Sequence, residues 1–442
     1  MRLRACRNGK PKRAESFVVD VDSGPSWSRD RRLWILLGGT VAALVLAALV
    51  KAPCLYQRWD GEQYEALCYN DLQPLYTSRS LHQHVVPYIG AEGVNRDGTP
   101  KGFLEYPVLT GLVLYLAALP STSDETFFVW NAILLSGFAL GTTLVLFRSV
   151  RDPRRVAFFA AGPPLVLYAF HNWDLIAVFF ATLGLHAFTR GRWILSGVSL
   201  GLGAAAKIYP AFFVPILGLA LLRDEHPKFD RSVRLVGAAA GTFVALNLPF
   251  LAMNPSLWWE TYAFHLRRGA TYESPWYAIA EYVRRTDLAQ LSFSDARLLQ
   301  AVIAVPLFLA VLAWLGWRVW TRRMPPIVAC LGVLLMFLLI NKVWSVQYTL
   351  WILPFFALMP LDWKRFASLE AADVAVYVTV FPFLQNIDLP GERTFYDRLA
   401  VAVAARTAII VWLLVGTLRR RSPSSLSTTA ARPSPTKKTA PL

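Results

Sequence analysis

Apolar runs of about 15–22 residues recur from Leu33 to Val415, most of them bounded by Arg, Lys, Pro or Trp. In lipid, helices satisfy every backbone N–H and C=O within one segment, so the pattern specifies an all-α, polytopic membrane protein. Composition agrees: 17% of the 442 residues are charged, against roughly a quarter in an average soluble domain. The excess of 45 Lys+Arg over 29 Asp+Glu falls in short loops and in both tails. There it reads as a topology signal and not as a nucleic-acid surface. No cleavable signal peptide is expected, because the long basic stretch 1–32 precedes the first apolar run. The tail beyond Arg421 is rich in Ser, Thr, Pro and Ala and is expected to be disordered.

The candidate spans are 33–50, 103–119, 126–147, 156–170, 174–189, 193–206, 208–222, 235–251, 299–320, 325–341, 349–360, 367–384 and 398–417. Thirteen crossings conflict with the basic residues at both ends, Arg29–Arg32 and Arg419–Arg421, which place both termini in the cytoplasm. Removing 103–119 repairs the count and returns the basic loops, such as "RSVRDPRR" at 148–155, to the cytoplasmic side. That segment is short and carries Glu105 and Pro107 in its first turns, so it is expected to lie in the outer interface. The resulting organisation is a cytoplasmic basic tail (1–32), a domain of about twelve transmembrane helices (33–418) and a cytoplasmic tail (419–442). The first external loop, 51–125, is long and carries interfacial helices. The expected location is the plasma membrane, with the chemistry on its extracytoplasmic face.

Several motifs exclude function classes. "GVSLGLGAAAK" at 197–207 lacks the spacing and final Ser/Thr of a phosphate loop, and its small residues suit close helix packing. No H-x-x-x-H or C-x-x-C sequence occurs, so metalloprotease chemistry has no support, and the G-x-S-x-G string at 197–201 falls inside that same small-residue packing stretch. No cofactor is called for; Asp71 and Asp174 together are thin ligation for a divalent metal.

The unusual polar residues collect on the outer side. Asp71, in "CYNDLQPLYTSRSL", is either an exposed loop acid, a helix N-cap or a functional carboxylate. Cys54 and Cys68 share the oxidising external loop and are a candidate disulfide, out of reach of Cys6 in the cytoplasmic tail and Cys330 in a span. Arg267 and Arg268, with His265 before them and Gly269 after, suggest an anion cradle, since planar guanidinium forks match phosphate oxygens. Lys207 and Lys342, at outer helix ends, are either further cations of that cradle or snorkelling anchors. "HNWD" sets His171, Asn172 and Asp174 at the mouth of a helix that Asp174 either caps or leaves for the cavity. Tyr76, Glu105, Tyr106, Glu273, Trp276, Gln347 and Tyr348 complete the expected substrate cavity, with Trp351 beside it. An acid that accepts a proton beside cations that hold a phosphate is what sugar transfer from a polyprenyl phosphate requires. Nucleotide sugars are not expected outside the cytoplasm, so the activated donor should be membrane-borne.

The ordered motifs "CYNDLQPLYTSRSL", "EYPVLTGL", "HNWDLIAV", "SGVSLGLGAAAKIYPAFFVPI" and "NKVWSVQYTLWILP" resemble polyprenol-phosphate-dependent membrane glycosyltransferases of the GT-C class. The group they are most similar to is the actinobacterial alpha-mannosyltransferases acting on envelope glycolipids. The resemblance covers roughly 33–418 and implies a GT-C-like fold, a polyprenyl-phosphate sugar donor, and a glycolipid or glycan acceptor amid membrane lipids. It also implies a catalytic Asp in the first external loop, the position matched by Asp71, with Asp60 of "RWDGEQY" as competitor. The Tyr106-Pro107 pair matches a family helix that lies along the membrane. Mannose is preferred by resemblance alone, and the implied reaction is an inverting displacement. The rival class is a transporter or flippase of an amphiphilic anion, which needs no base and should show inverted repeats.

Overall fold

The structure, a computed structural model, describes residues 31–57, 59–223, 229–286 and 293–420. Most of the two expected tails, with Cys6, lies outside these residues. Among the described residues the regular structure is helical, and the β pairing is one isolated bridge between Val94 and Pro100.

Six helices are long and apolar enough to cross a bilayer unaided: Arg31–Tyr56, Asp124–Ser149, Phe229–Met253, Ala301–Trp320, Trp363–Gln385 and Glu392–Leu418. The 26 residues of the first extend about 39 Å, more than the roughly 30 Å hydrocarbon core. Six shorter apolar segments are the remaining candidate passes: Asp174–Thr189, Trp193–Ala206, Tyr209–Leu222, Pro326–Ile340, Val346–Leu358 and a broken segment over 157–168. Six and six make twelve candidate passes among the described residues. Large apolar side chains such as Ile35, Leu49, Val244, Val305 and Val401 stay exposed on the outside of the bundle, a belt suited to lipid and not to water.

Local chemistry explains the broken passes. Pro163 and Pro164 cannot extend the helix Ala157–Ala160, and a Cβ at Gly162 would stand 2.4 Å from the Phe158 carbonyl oxygen. Arg155, just ahead, donates to the carbonyls of Phe356, Ala357 and Leu361 at 2.6, 3.2 and 2.9 Å and to that of Met359. The start of 157–168 therefore sits beside the end of Val346–Leu358, and the two short passes run antiparallel. Residues 197–207 are a packing surface. A Cβ at Gly197 would lie 2.2 Å from the Leu235 carbonyl, and one at Gly201 2.5 Å from that of Ala239. Two helix backbones meet there with no room for a side chain.

The 103–119 segment does not cross. Its helix, Val108–Ala118, has 11 residues and a length of about 16 Å. Thr110 donates to the Ala206 carbonyl (2.9 Å), and Tyr76 reaches back to that of Ser121 (2.6 Å), so both ends of the segment lie at one end of the bundle. With Glu62–Glu65 and Leu72–Ser78 it turns the first loop into a folded layer over that end. Two further helices, Pro255–Arg267 and Pro275–Arg285, extend the layer across a stretch the sequence presents as loop. Asn254 caps the first of them, accepting from Leu257 N–H, and donates to the Ile89 carbonyl at 3.0 Å, which ties the two parts together.

Candidate active site

Asp71 stands at the N-terminus of Leu72–Ser78, yet its carboxylate makes no capping bond. Asn70 does that work, its Oδ1 accepting from the Gln73 N–H at 2.9 Å. The Asp71 carboxylate is turned instead to three donors: Tyr69 Oη at 2.8 Å on Oδ1, and Asn172 Nδ2 at 2.6 Å and Tyr106 Oη at 3.3 Å on Oδ2. Its backbone N–H donates to the His171 carbonyl at 2.8 Å, fastening the loop to the "HNWD" turn. Burial pushes the Asp71 carboxyl above the ordinary carboxylate range, and the bonds from Tyr69 and Asn172 with the Lys207 ammonium only partly oppose it. Burial, helped by Lys51, holds the neighbouring His171 well below the usual imidazole range, so it is neutral.

Lys207 ends the helix Trp193–Ala206. Its Nζ donates to Asn172 Oδ1 and to Asp174 Oδ2, both at 3.3 Å, and lies over the rings of Tyr106 and Tyr348 at 5.4 and 5.5 Å. Asn172 thus bridges Lys207 to Asp71 through its two amide atoms. Trp351 Nε1 donates to the other Asp174 oxygen at 2.7 Å. A cation, an amide and a carboxylate are fixed in one chain.

Asp71 opens into a cavity of about 1600 Å³, beyond the roughly 300–1,000 Å³ of a typical small-molecule site and roomy enough for two substrates. Glu105, Tyr106, His171, Asn172 and Lys207 line it near Asp71. His265, Arg268, Glu273 and Trp276 face it from the second half of the layer. Lys342, Gln347, Tyr348 and Trp351 contribute from the segment after Pro326–Ile340. Burial raises the Glu273 carboxyl above its usual value, with Arg406 and Arg268 pulling the other way.

Four expected residues lie elsewhere. Asp60 is exposed and lines no part of the cavity. Tyr76 packs its ring on Phe127, centroids 5.1 Å apart, and spends its hydroxyl on Ser121. Asp174 is fully buried behind Lys207, paired and not reachable. Arg267 is exposed and ion-paired with Glu260. Arg267 ends the helix while Arg268 turns into extended backbone (φ −61°, ψ 148°), and of the arginine pair only Arg268 lines the cavity. Two others have committed bonds. His265 Nε2 meets the Glu105 carbonyl at 2.7 Å, and burial holds its imidazole below the usual range, which makes it a poor anion ligand. Glu105 is gripped bidentately by Arg79 at 2.7 and 3.1 Å.

Lys51 escapes sequence reasoning. A lysine at the end of the first apolar run reads as an anchor, yet its side chain is fully buried. Its Nζ donates to the Tyr69 carbonyl at 2.7 Å and to Tyr377 Oη at 3.3 Å, and lies 3.5 Å from His171 Nδ1. It holds the residue whose hydroxyl holds Asp71. Cys54 and Cys68 are disulfide-bonded, with Cα atoms 5.6 Å apart and a separation of 14 residues, and Gln73 Nε2 donates to the Cys54 carbonyl at 3.1 Å. Closing a loop of this size stabilises by about 3 kcal/mol. The double Ser variant is expected to unfold earlier on heating in detergent and to turn over more slowly. Unchanged melting would mean that Lys51 and Gln73 alone position the Asp71 turn.

The profile of Glycosyltransferase family 87 matches residues 103–340. Among solved structures, ArnT from Cupriavidus metallidurans bound to undecaprenyl phosphate is similar at 12% sequence identity and a TM-score of 0.45, over 87% of this chain and 77% of that one. No curated protein sequence matches the chain. The family match takes in more than half of the 442 residues, from Phe103 beside Glu105 to Ile340 beside Lys342, and the chain belongs to glycosyltransferase family 87.

Proposed function

We propose that this glycosyltransferase is a GT-C-class enzyme moving a hexose from a polyprenyl phosphate to a hydroxyl of a cell-envelope glycolipid or glycan. Mannose is the sugar the motif resemblance favours, and the extracytoplasmic face is the side the positive-inside rule favours. The observation that carries the reading is a bundle-end cavity whose wall combines the Asp71 carboxylate with the cations Lys207, Arg268 and Lys342. Asp71 accepts the proton of the acceptor hydroxyl as that oxygen attacks the anomeric carbon. The bond from the anomeric carbon to the phosphate oxygen breaks on the opposite face, inverting the centre. Charge then grows on the leaving polyprenyl phosphate, where fixed cations in a water-poor site act more strongly than solvent would. Asp71 lies ahead of the matched residues, so its role rests on this geometry and on the motif resemblance.

The test is direct. The full chain in lipid nanodiscs is given radiolabelled polyprenyl-phosphate mannose, glucose or arabinose together with an envelope glycolipid extract. Transfer to lipid from one of these supports the proposal; transfer from a nucleotide sugar alone would overturn it. Within this reading the two arginines separate. Arg268→Ala is expected to lower turnover at saturating donor about tenfold or more, because its fork acts on the leaving phosphate. Arg267→Ala should stay within about threefold, as expected of an exposed ion pair. Steady-state rates of the two variants decide this, and equal losses would restore the paired cradle.

A further inference from the structure

Gln347 sits in the short 3-10 segment Val346–Trp351, is 2% exposed, and lines the same cavity as Asp71. Its Oε1 has no hydrogen-bond partner among the described residues. Which amide atom faces the cavity is set by chemistry: the Gln347 amide meets the Asp174 carboxylate, and a carboxylate only accepts. Asp174 already accepts from Lys207 and Trp351, and the Gln347 NH₂ is the amide group that can donate to it. The carbonyl oxygen is left buried and unpartnered in the cavity wall. On the cavity wall, Trp276 Nε1 is likewise buried and unpartnered among the described residues, and it is a pure donor.

We infer that Gln347, with Trp276, reads the hydroxyls of the transferred sugar and so sets which sugar the enzyme accepts. This rests on the proposed donor. A buried acceptor and a buried donor each cost free energy unless a ligand satisfies them. A phosphate diester and its polyprenyl chain carry no donor for Gln347 Oε1. A sugar hydroxyl donates to the one and accepts from the other. Gln347 is joined through Asp174 to Lys207, a cation of the phosphate site, and the sugar is bonded directly to that phosphate. The donor sugar, more than the acceptor, therefore comes within its reach.

The experiment uses the full chain in nanodiscs and whichever polyprenyl-phosphate hexose it transfers fastest, with the monodeoxy analogues of that donor. Wild type should lose about tenfold or more in kcat/KM with one deoxy analogue, because a site built to bond a hydroxyl rejects the ligand lacking it. Gln347→Leu should lose a similar factor with the parent donor and be indifferent to that same deoxygenation. Sugar-free polyprenyl phosphate should compete equally well against both proteins, which also reports that the variant is folded. If wild type uses all deoxy donors alike, or if Gln347→Leu weakens the sugar-free lipid as much as the sugar-bearing one, the inference is overturned while the donor assignment stands. No transfer by wild type from any polyprenyl-phosphate sugar removes both.

Discussion

Asp71→Asn should abolish sugar transfer, with turnover falling at least about a hundredfold while expression and donor binding persist. Asn keeps the shape and still accepts at Oδ1 from Tyr69, but it cannot take the acceptor proton. Its NH₂ would also meet the Asn172 Nδ2 and Tyr106 hydroxyl that now donate to Oδ2. The same carboxylate predicts the pH dependence. A general base must be deprotonated, and burial places this carboxyl above the ordinary carboxylate range. Activity is therefore lost as pH falls through the raised value and is full above it, so the acid limb of kcat/KM should lie above that of an ordinary Asp. Asp60→Asn, altering an exposed residue off the cavity, should leave turnover within about twofold. Near-normal turnover in Asp71→Asn alongside loss in Asp60→Asn would transfer the role to Asp60.

The contrast between these two acids shows how far the residues alone can be read. Apolar length and loop charge carry the fold, because a membrane constrains both: the 103–119 segment fails as a span on Glu105, Pro107 and parity, and its helix is indeed too short to cross. The breaks at Gly162-Pro163 and before Leu353 are less legible, since an apolar run reads alike whether it is one helix or two short pieces propped against each other. In the site, residue type announces Asp71, Asn172 and Lys207. Pairing does not show in a sequence. Nothing local says that Asp174 is consumed by Lys207 and Trp351, that Arg267 turns outward to Glu260, or that Arg79 neutralises Glu105 across 26 positions. Lys51 is hidden for the same reason, its partners Tyr69, His171 and Tyr377 being up to 326 positions away.

On the proposed reaction Lys207 joins stability to catalysis, and its removal should have the second large effect. Lys207→Met strips the cation from Asp174, whose side chain is wholly inaccessible, and an uncompensated buried charge costs about 3–5 kcal/mol. It also releases Asn172 Oδ1, so the donor to Asp71 Oδ2 loses its anchor. The variant should express poorly, melt early and show no measurable transfer. Loss of folding alone would produce the same result, so the informative protein is the double variant Lys207→Met with Asp174→Asn. Neutralising both members removes the buried charge and should recover most of the melting temperature, leaving a hydrogen bond from Trp351 to the new amide oxygen. Turnover at saturating donor should not recover, because on the proposed reaction the leaving phosphate would still lack the Lys207 ammonium. Lys207→Arg keeps the charge but must fit a planar fork between the Tyr106 and Tyr348 rings, and it should rescue stability better than rate. A double variant that regains both melting temperature and turnover would make Lys207 a structural counter-ion, and the phosphate would then fall to Arg268 and Lys342.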